Sequence, residues 1–208
     1  TRPMREYLKS HKLANVCYDI RGPVHARAAA MEDEGHRIIK LNIGNPAPFG
    51  FEAPDEILID VIHNIPNSQG YSDSKGLYSA RKAVMQYAQQ LRIPNVEVND
   101  IYLGNGVSEL IVMVTQALAN TGDEILIPAP YWTTYPEAIT LAGGVPVIID
   151  TDDVSGFQVT IEQLEKARTP RTKVLFLGYP CNPTGAVLTP ETARALAAVA
   201  DRHDLLVI

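Results

Sequence analysis

Residues 173–203 constrain this chain more than any other stretch. Lys173-Val174-Leu175-Phe176-Leu177 is a short apolar run that reads as a buried strand. Gly178-Tyr179-Pro180-Cys181-Asn182-Pro183-Thr184-Gly185 follows, a loop crowded with structure breakers. Thr189-Pro190-Glu191-Thr192 then opens a helix, with Pro at a first-turn position where a missing N–H costs nothing. A strand that hands over to a helix through such a loop belongs to an open α/β sheet. The loop lies at the carboxyl edge, where such sheets hold ligands. Asn182 stands between Pro180 and Pro183, so its amide presents a donor and an acceptor with little entropy left to lose. Taken alone, the same residues also fit an ordinary turn, because Asn-Pro and Thr-Gly are common turn dipeptides.

The strand–helix rhythm extends back to about residue 100. Strands are expected at 101–103, 124–127, 145–149 and 205–208, and helices at 108–119, 135–141, 161–167 and 191–203. Pro146 marks its strand as an edge or first position. This alternation predicts right-handed βαβ units and a mainly parallel sheet. Within it, Gly104-Asn105-Gly106-Val107-Ser108-Glu109 feeds a helix N-terminus, where free N–H groups and the positive dipole end suit a phosphate. A dinucleotide fingerprint would need glycine where Glu109 stands, whereas a monophosphate cradle needs fewer glycines. Ser108 also reads as a helix cap. Trp132, the one tryptophan, follows Pro128-Ala129-Pro130-Tyr131 at a strand's carboxyl end rather than lying within an element. A core role and a flat stacking surface are both open to it; Tyr135 is near enough in sequence to line the same pocket.

Ahead of residue 100 the chain reads as a polar arm to about residue 23 and an alanine-rich helix at 24–34 stopped by Gly35. An alternating strand at 37–43 and a breaker loop from Gly44 to Gly50 come next. A Pro-started helix at 54–65 and a helix at 77–90 flank the polar loop Gln69-Gly70-Tyr71-Ser72-Asp73-Ser74-Lys75-Gly76. Tyr71 fits a loop aromatic packed on its neighbours, and Lys75 a solvated charge.

Composition narrows the functions open to such a chain. At 208 residues and 46% hydrophobic it can bury a real core in one or two domains. A formal net charge of −6 without a cationic run argues against a nucleic-acid surface. Its apolar runs are strand-sized, so no membrane span is expected, and no signal peptide opens it. Cys17 and Cys181 form no CxxC, and the five histidines show no ligand spacing, so free thiols, no metal and a cytoplasmic setting are expected.

Several of these motifs, in this order, resemble the class I and II aminotransferases, pyridoxal-phosphate enzymes of fold type I. Asn182-Pro183-Thr184-Gly185 after a strand is similar to the family's signature loop, whose Asn contacts the cofactor's ring hydroxyl and the substrate carboxylate. The family often has Asn where this chain has Cys181. Leu41-Asn42-Ile43-Gly44-Asn45-Pro46 resembles the family's first active-site strand and loop, and implies that the Gly44 N–H meets the substrate carboxylate; a glycine lets a backbone amide come this close. Gly106, Val107 and Ser108 match the loop that holds the cofactor phosphate, Pro130-Tyr131-Trp132 the segment that stacks on the pyridine face, and Tyr71 a tyrosine that reaches the phosphate in a neighbouring subunit. Cis peptides at Ala129–Pro130 and Asn182–Pro183 are implied as well.

The resemblance implies a three-layer α/β/α large domain over 51–208, cut short, with residues 1–50 as an N-terminal arm and small-domain segment. It also implies a homodimer with shared sites, acting on amino acids and 2-oxo acids. It places the family's Schiff-base lysine, its pyridine-nitrogen aspartate and its carboxylate arginine beyond residue 208, so no catalytic residue is assigned here. Residues 41–51, 70–81 and 104–110 are most similar to bacterial alanine aminotransferases, whereas 128–147 is more similar to a prokaryotic aspartate aminotransferase. A non-catalytic ligand-binding module of the same fold is the reading from another class, and a nicotinamide dehydrogenase would require the glycine that Glu109 replaces.

Overall fold

The computed structural model describes residues 9–14, 16, 22–41 and 44–208. The described residues divide into two compact units, one from Arg21–Gly104 and the other from Asn105–Ile208 with the described residues before 21.

The second of these carries the sheet. Strands β1 (Glu124–Ala129), β2 (Val145–Asp150), β3 (Thr172–Leu175) and β4 (Leu206–Val207) lie in the order β2-β1-β3-β4, every neighbouring pair parallel. β2 lies at the edge of the sheet, one of the two positions that Pro146 allowed. Side chains on a strand alternate between faces. On β1, Ile125 and Ile127 join one apolar cluster and Leu126 the other. On and just past β3, Val174 and Phe176 join the first and Leu175 the second.

Both faces must therefore be covered, and helices cover them. Helix α4 (Val107–Leu118) contributes Ile111 to the first face, and α5 (Thr134–Ala142) contributes Ala138 and Ile139. Helix α6 (Ile161–Ala167) supplies Leu164 to the opposite face, and α7 (Pro190–Arg202) supplies Leu196 and Val199. The result is the three-layer α/β/α arrangement. α6 and α7 start at threonine caps: Thr160 accepts from the Gln163 N–H, and Thr189 from the Thr192 N–H.

Glu124 is a carboxylate within this core, 3% exposed at the start of β1. Thr169 donates its hydroxyl at 2.5 Å, Arg171 donates Nε and Nη2 at 3.0 and 2.6 Å, and Thr172 donates at 3.2 Å. The Thr169 hydroxyl first, and the Arg171 guanidinium next, hold its pKa below the usual carboxylate range. This cluster fastens the amino ends of β1 and β3 together.

The other unit holds α1 (Gly22–Asp33), α2 (Asp55–Asn64) and α3 (Tyr78–Gln90), close to where the periodicity predicts them. Two expected strands are not found. Residues 37–41 form no strand, and 42–43 lie outside the described residues. Residues 101–103 form no strand among the described residues: Ile101 is extended, and the Leu103 N–H reaches the Lys75 carbonyl at 2.9 Å. Local alternation proposes a strand, but only a neighbouring chain that takes up the backbone N–H and C=O groups makes one.

Two consequences are measurable. Leu126→Ala, at a fully buried position, lowers unfolding stability by about 2–5 kcal/mol, whereas Val187→Ala, on an exposed loop, changes it by less than about 0.5 kcal/mol; urea unfolding of the two variants checks this. Because the folded-state pKa of Glu124 is depressed, its contribution to stability is full above the unfolded value near 4.5 and is lost as pH falls through the lower folded value. Glu124→Gln therefore flattens the acid limb of the stability-against-pH curve below about pH 4.5 relative to wild type, as read by thermal unfolding from pH 3 to 7.

Candidate active site

Right-handed connections between parallel strands send each helix back across the sheet, so every strand-to-helix loop emerges at the strands' carboxyl edge. The loop after β1 carries Trp132, and the one after β3 carries Asn182. α4 runs antiparallel to β1. Its last turn lies at the amino edge, where Lys173 Nζ donates to the Leu118 carbonyl at 2.6 Å and Ala119 lies beside Gly144. Its first turn, Gly106-Val107-Ser108, therefore faces the carboxyl edge. One edge of this unit thus gathers Gly106, Val107, Ser108, Trp132 and Asn182.

The α4 N-terminus is left open. Gly106 is its N-cap, with φ +86°, and a Cβ there would meet nothing within 4 Å. No side chain caps the helix. Ser108 sits one residue inside its start, so the capping role read for it from sequence is not realised. The carboxylate of Glu109 folds back to accept the Asn105 N–H, which steadies the turn just ahead of the helix. The first-turn N–H groups of α4 have no intrahelical acceptor, and with the helix dipole they favour an anion.

The Asn182 loop is closed on itself by Cys181 N–H to Ala186 O at 2.8 Å and Gly185 N–H to Cys181 O at 2.7 Å. Asn182 is exposed at its tip. The peptides at Ala129–Pro130 and Asn182–Pro183 are cis, as the resemblance implies, and so is Tyr179–Pro180. Between this loop and the one after β1 lies a crevice lined by Pro128, Pro130, Tyr131, Tyr135, Phe157, Tyr179 and Asn182, among others. Trp132, next in the chain after Tyr131, is 37% exposed, so it is not a core residue.

Three contacts that the sequence did not reveal hold the crevice. The Cys181 thiol donates to the Pro130 carbonyl at 3.3 Å, fastening the Asn182 loop to the Trp132 loop. The Tyr179 hydroxyl donates to the Phe157 carbonyl at 3.1 Å. The Tyr135 ring lies 4.4 Å from that of Phe176, and its hydroxyl would be 3.0 Å from a Cβ on Gly178, so that glycine admits the ring. The phenols of Tyr131, Tyr135 and Tyr179 are all pushed up in pKa, first by burial, and stay neutral at physiological pH. The only signal in the sequence was their aromatic clustering around Pro and Gly.

Gly44 and Tyr71 belong to the other unit. Gly44 is exposed, and a Cβ on it would meet nothing within 4 Å. Tyr71 is exposed in full. Among the described residues no cluster of His, Cys, Asp or Glu could hold a metal, and no helix is long and apolar enough to cross a membrane.

Comparison with known proteins places the chain in a family. Residues 36–208 match the family Aminotransferase class I and II. The chain is 52% identical over 204 residues to glutamate-pyruvate aminotransferase AlaA of Haemophilus influenzae, covering 98% of this chain and 50% of that protein. It is 51% identical over 205 residues to alanine aminotransferase of Mycobacterium bovis, covering 98% of this chain and 48% of the relative. An aminotransferase crystal structure from Escherichia coli superposes with a TM-score of 0.91 at 51% identity, over 98% of this chain and 50% of that one. The chain spans about half the length of these relatives. On the match over residues 36–208, the chain belongs to the class I and II aminotransferase family.

Proposed function

We propose that this chain is the N-terminal part of an aminotransferase that moves an amino group from an amino acid to a 2-oxo acid with pyridoxal phosphate, the amino acid being alanine or glutamate. The observation that carries this reading is the meeting, at one sheet edge, of an uncapped helix N-terminus, an aromatic face and an exposed amide between prolines. The choice of amino acid rests on relatives near 52% identity named for alanine or glutamate–pyruvate, against 40% for an aspartate aminotransferase from Streptomyces avermitilis.

The residues present fit the cofactor. The seat at Gly106, Val107 and Ser108 suits a phosphate, because it offers first-turn amides and the Ser108 hydroxyl, with open space over Gly106. Trp132 offers a flat π-surface for the ring. Asn182 offers a donor to the ring hydroxyl and another to the substrate carboxylate, and the Gly44 N–H a donor to that carboxylate. When bound, pyridoxal phosphate supplies the electron sink that stabilises a carbanion at the amino acid's α-carbon. The part of this chain is to bind, orient and keep water from the ring. The neutral phenols around the crevice suit that task, since they add no charge to compete with the substrate carboxylate.

In this reading the proton-moving lysine lies in the remainder of the protein, residues 1–50 form the arm and small-domain segment, and 51–208 form part of the large domain. The working unit is a homodimer in which the Tyr71 hydroxyl meets the cofactor phosphate of the neighbouring subunit.

Asn182→Ala in the complete enzyme weakens amino-acid binding about tenfold or more, in keeping with the loss of a hydrogen bond to a charged group. Titration of the cofactor's visible absorption with alanine and glutamate measures it, and wild-type affinity in the variant refutes the assignment. Ser108→Ala weakens pyridoxal phosphate more than it weakens pyridoxal, which equilibrium dialysis of both compounds resolves.

A further inference from the structure

Arg81, in the first turn of α3, is the most buried charged side chain among the described residues of its unit, with a side chain only 4% exposed. Its guanidinium lies 5.8 Å over the Tyr78 ring of its own helix and donates to three groups outside that helix. Nε donates to the Gly76 carbonyl at 3.0 Å, Nη1 to the Val98 carbonyl at 3.2 Å, and Nη2 to the Asp73 carboxylate at 3.1 Å. The other oxygen of Asp73 accepts the Lys75 N–H at 2.8 Å, and its carbonyl accepts the Gly76 N–H at 2.8 Å. Lys75, read from sequence as solvated, donates Nζ to the Asn99 carbonyl at 2.6 Å and lies 4.7 Å over the Tyr102 ring. Gly76, with φ +97°, has no room for a Cβ, which would fall 2.6 Å from Leu103 Cβ.

Residues 73–76 are thus pinned on several sides to α3 and to residues 98–103. Two residues before the pinned segment, Tyr71 stands fully exposed. Burying a guanidinium is costly, and an apolar group of similar volume would serve stability as well or better. The arrangement instead specifies where one loop sits.

We infer that Arg81, through Asp73, is a positioning residue: it fixes the loop from which the Tyr71 hydroxyl is presented to a phosphate held by a second copy of the chain. This rests on the role proposed above for Tyr71, and adds the device that makes the role possible. Preorganising the donor removes the ordering cost that a loose loop would impose on phosphate binding.

The test is a double-mutant cycle in the complete enzyme, with pyridoxal phosphate dissociation measured by equilibrium dialysis and pyridoxal as the phosphate-free control. Tyr71→Phe weakens pyridoxal phosphate about tenfold. Asp73→Asn and Arg81→Lys weaken it at least about threefold in the wild-type background but less than about twofold in the Tyr71→Phe background, and leave pyridoxal unchanged. Asp73 has a half-exposed side chain, so Asp73→Asn decides the matter should Arg81→Lys fail to fold. Equal losses in both backgrounds, or losses shared by pyridoxal, overturn the inference by making the effect a general loss of structure. No loss from Asp73→Asn beside a clear loss from Tyr71→Phe overturns it while sparing the role of Tyr71. Wild-type binding by Tyr71→Phe removes that role, and the inference with it.

Discussion

The structure depends on β1 being buried on both faces. Ile125, Leu126 and Ile127 are each no more than 1% exposed, and they point alternately into two separate apolar clusters. A strand in that position must be flanked by strands and sandwiched by helices, and with parallel neighbours each connection must cross the sheet. That one requirement brings the loops after β1 and β3, and the start of α4, to the same edge. The placing of these loops at one edge is a consequence of how the core is covered, and contacts such as Cys181 to Pro130 then fasten them.

Where the sequence was legible, the physical signal was local. Leu126 and Leu175 stand out because strand-sized apolar runs flanked by breakers have few other uses. Pro146 marked an edge or a strand's first position because it lacks an N–H to give a second neighbour, and β2 lies at the edge. The helix opening at Thr189-Pro190 is legible for the same reason: Thr189 acts on a backbone group only three residues away. The strands expected at 37–43 and 101–103 have good alternation, but the described residues 37–41 and 101–103 form none, because a strand depends on a partner that alternation cannot supply.

The candidate site was legible in its loops and not in its fastenings. Asn182 between prolines and Gly106 ahead of a helix carry their meaning in adjacent residues. Cys181 gave no hint that its thiol would reach the Pro130 carbonyl, 51 residues away. Arg81 lies in a helix that reads as amphipathic, and a single arginine there normally signals a solvated face. Its burial becomes visible only when residues 73–76 and 98 fold against it. Contacts of this sort join segments far apart in sequence and use residue types common on any surface, so neither spacing nor composition marks them.

The polar groups of the sheet-bearing unit fall into two kinds. Glu124, Thr160 and Thr189 are committed to partners within the fold, and each closes a gap in the backbone or the core. The first turn of α4, the Asn182 amide and the Trp132 face close no such gap: the helix has no side-chain cap, the amide is exposed, and the ring is left partly open. The chain knows how to cap a helix, since it does so at α6 and α7. Threonine or aspartate in place of Gly106 would use up the anion-binding end of α4, which glycine leaves available. At the Asn182 loop the backbone is closed by its own hydrogen bonds and by the Cys181 thiol, so the amide side chain is not needed to hold it. Uncommitted donors on a firmly built edge give up little entropy when they bind, which is the condition for holding a small ring in a single orientation.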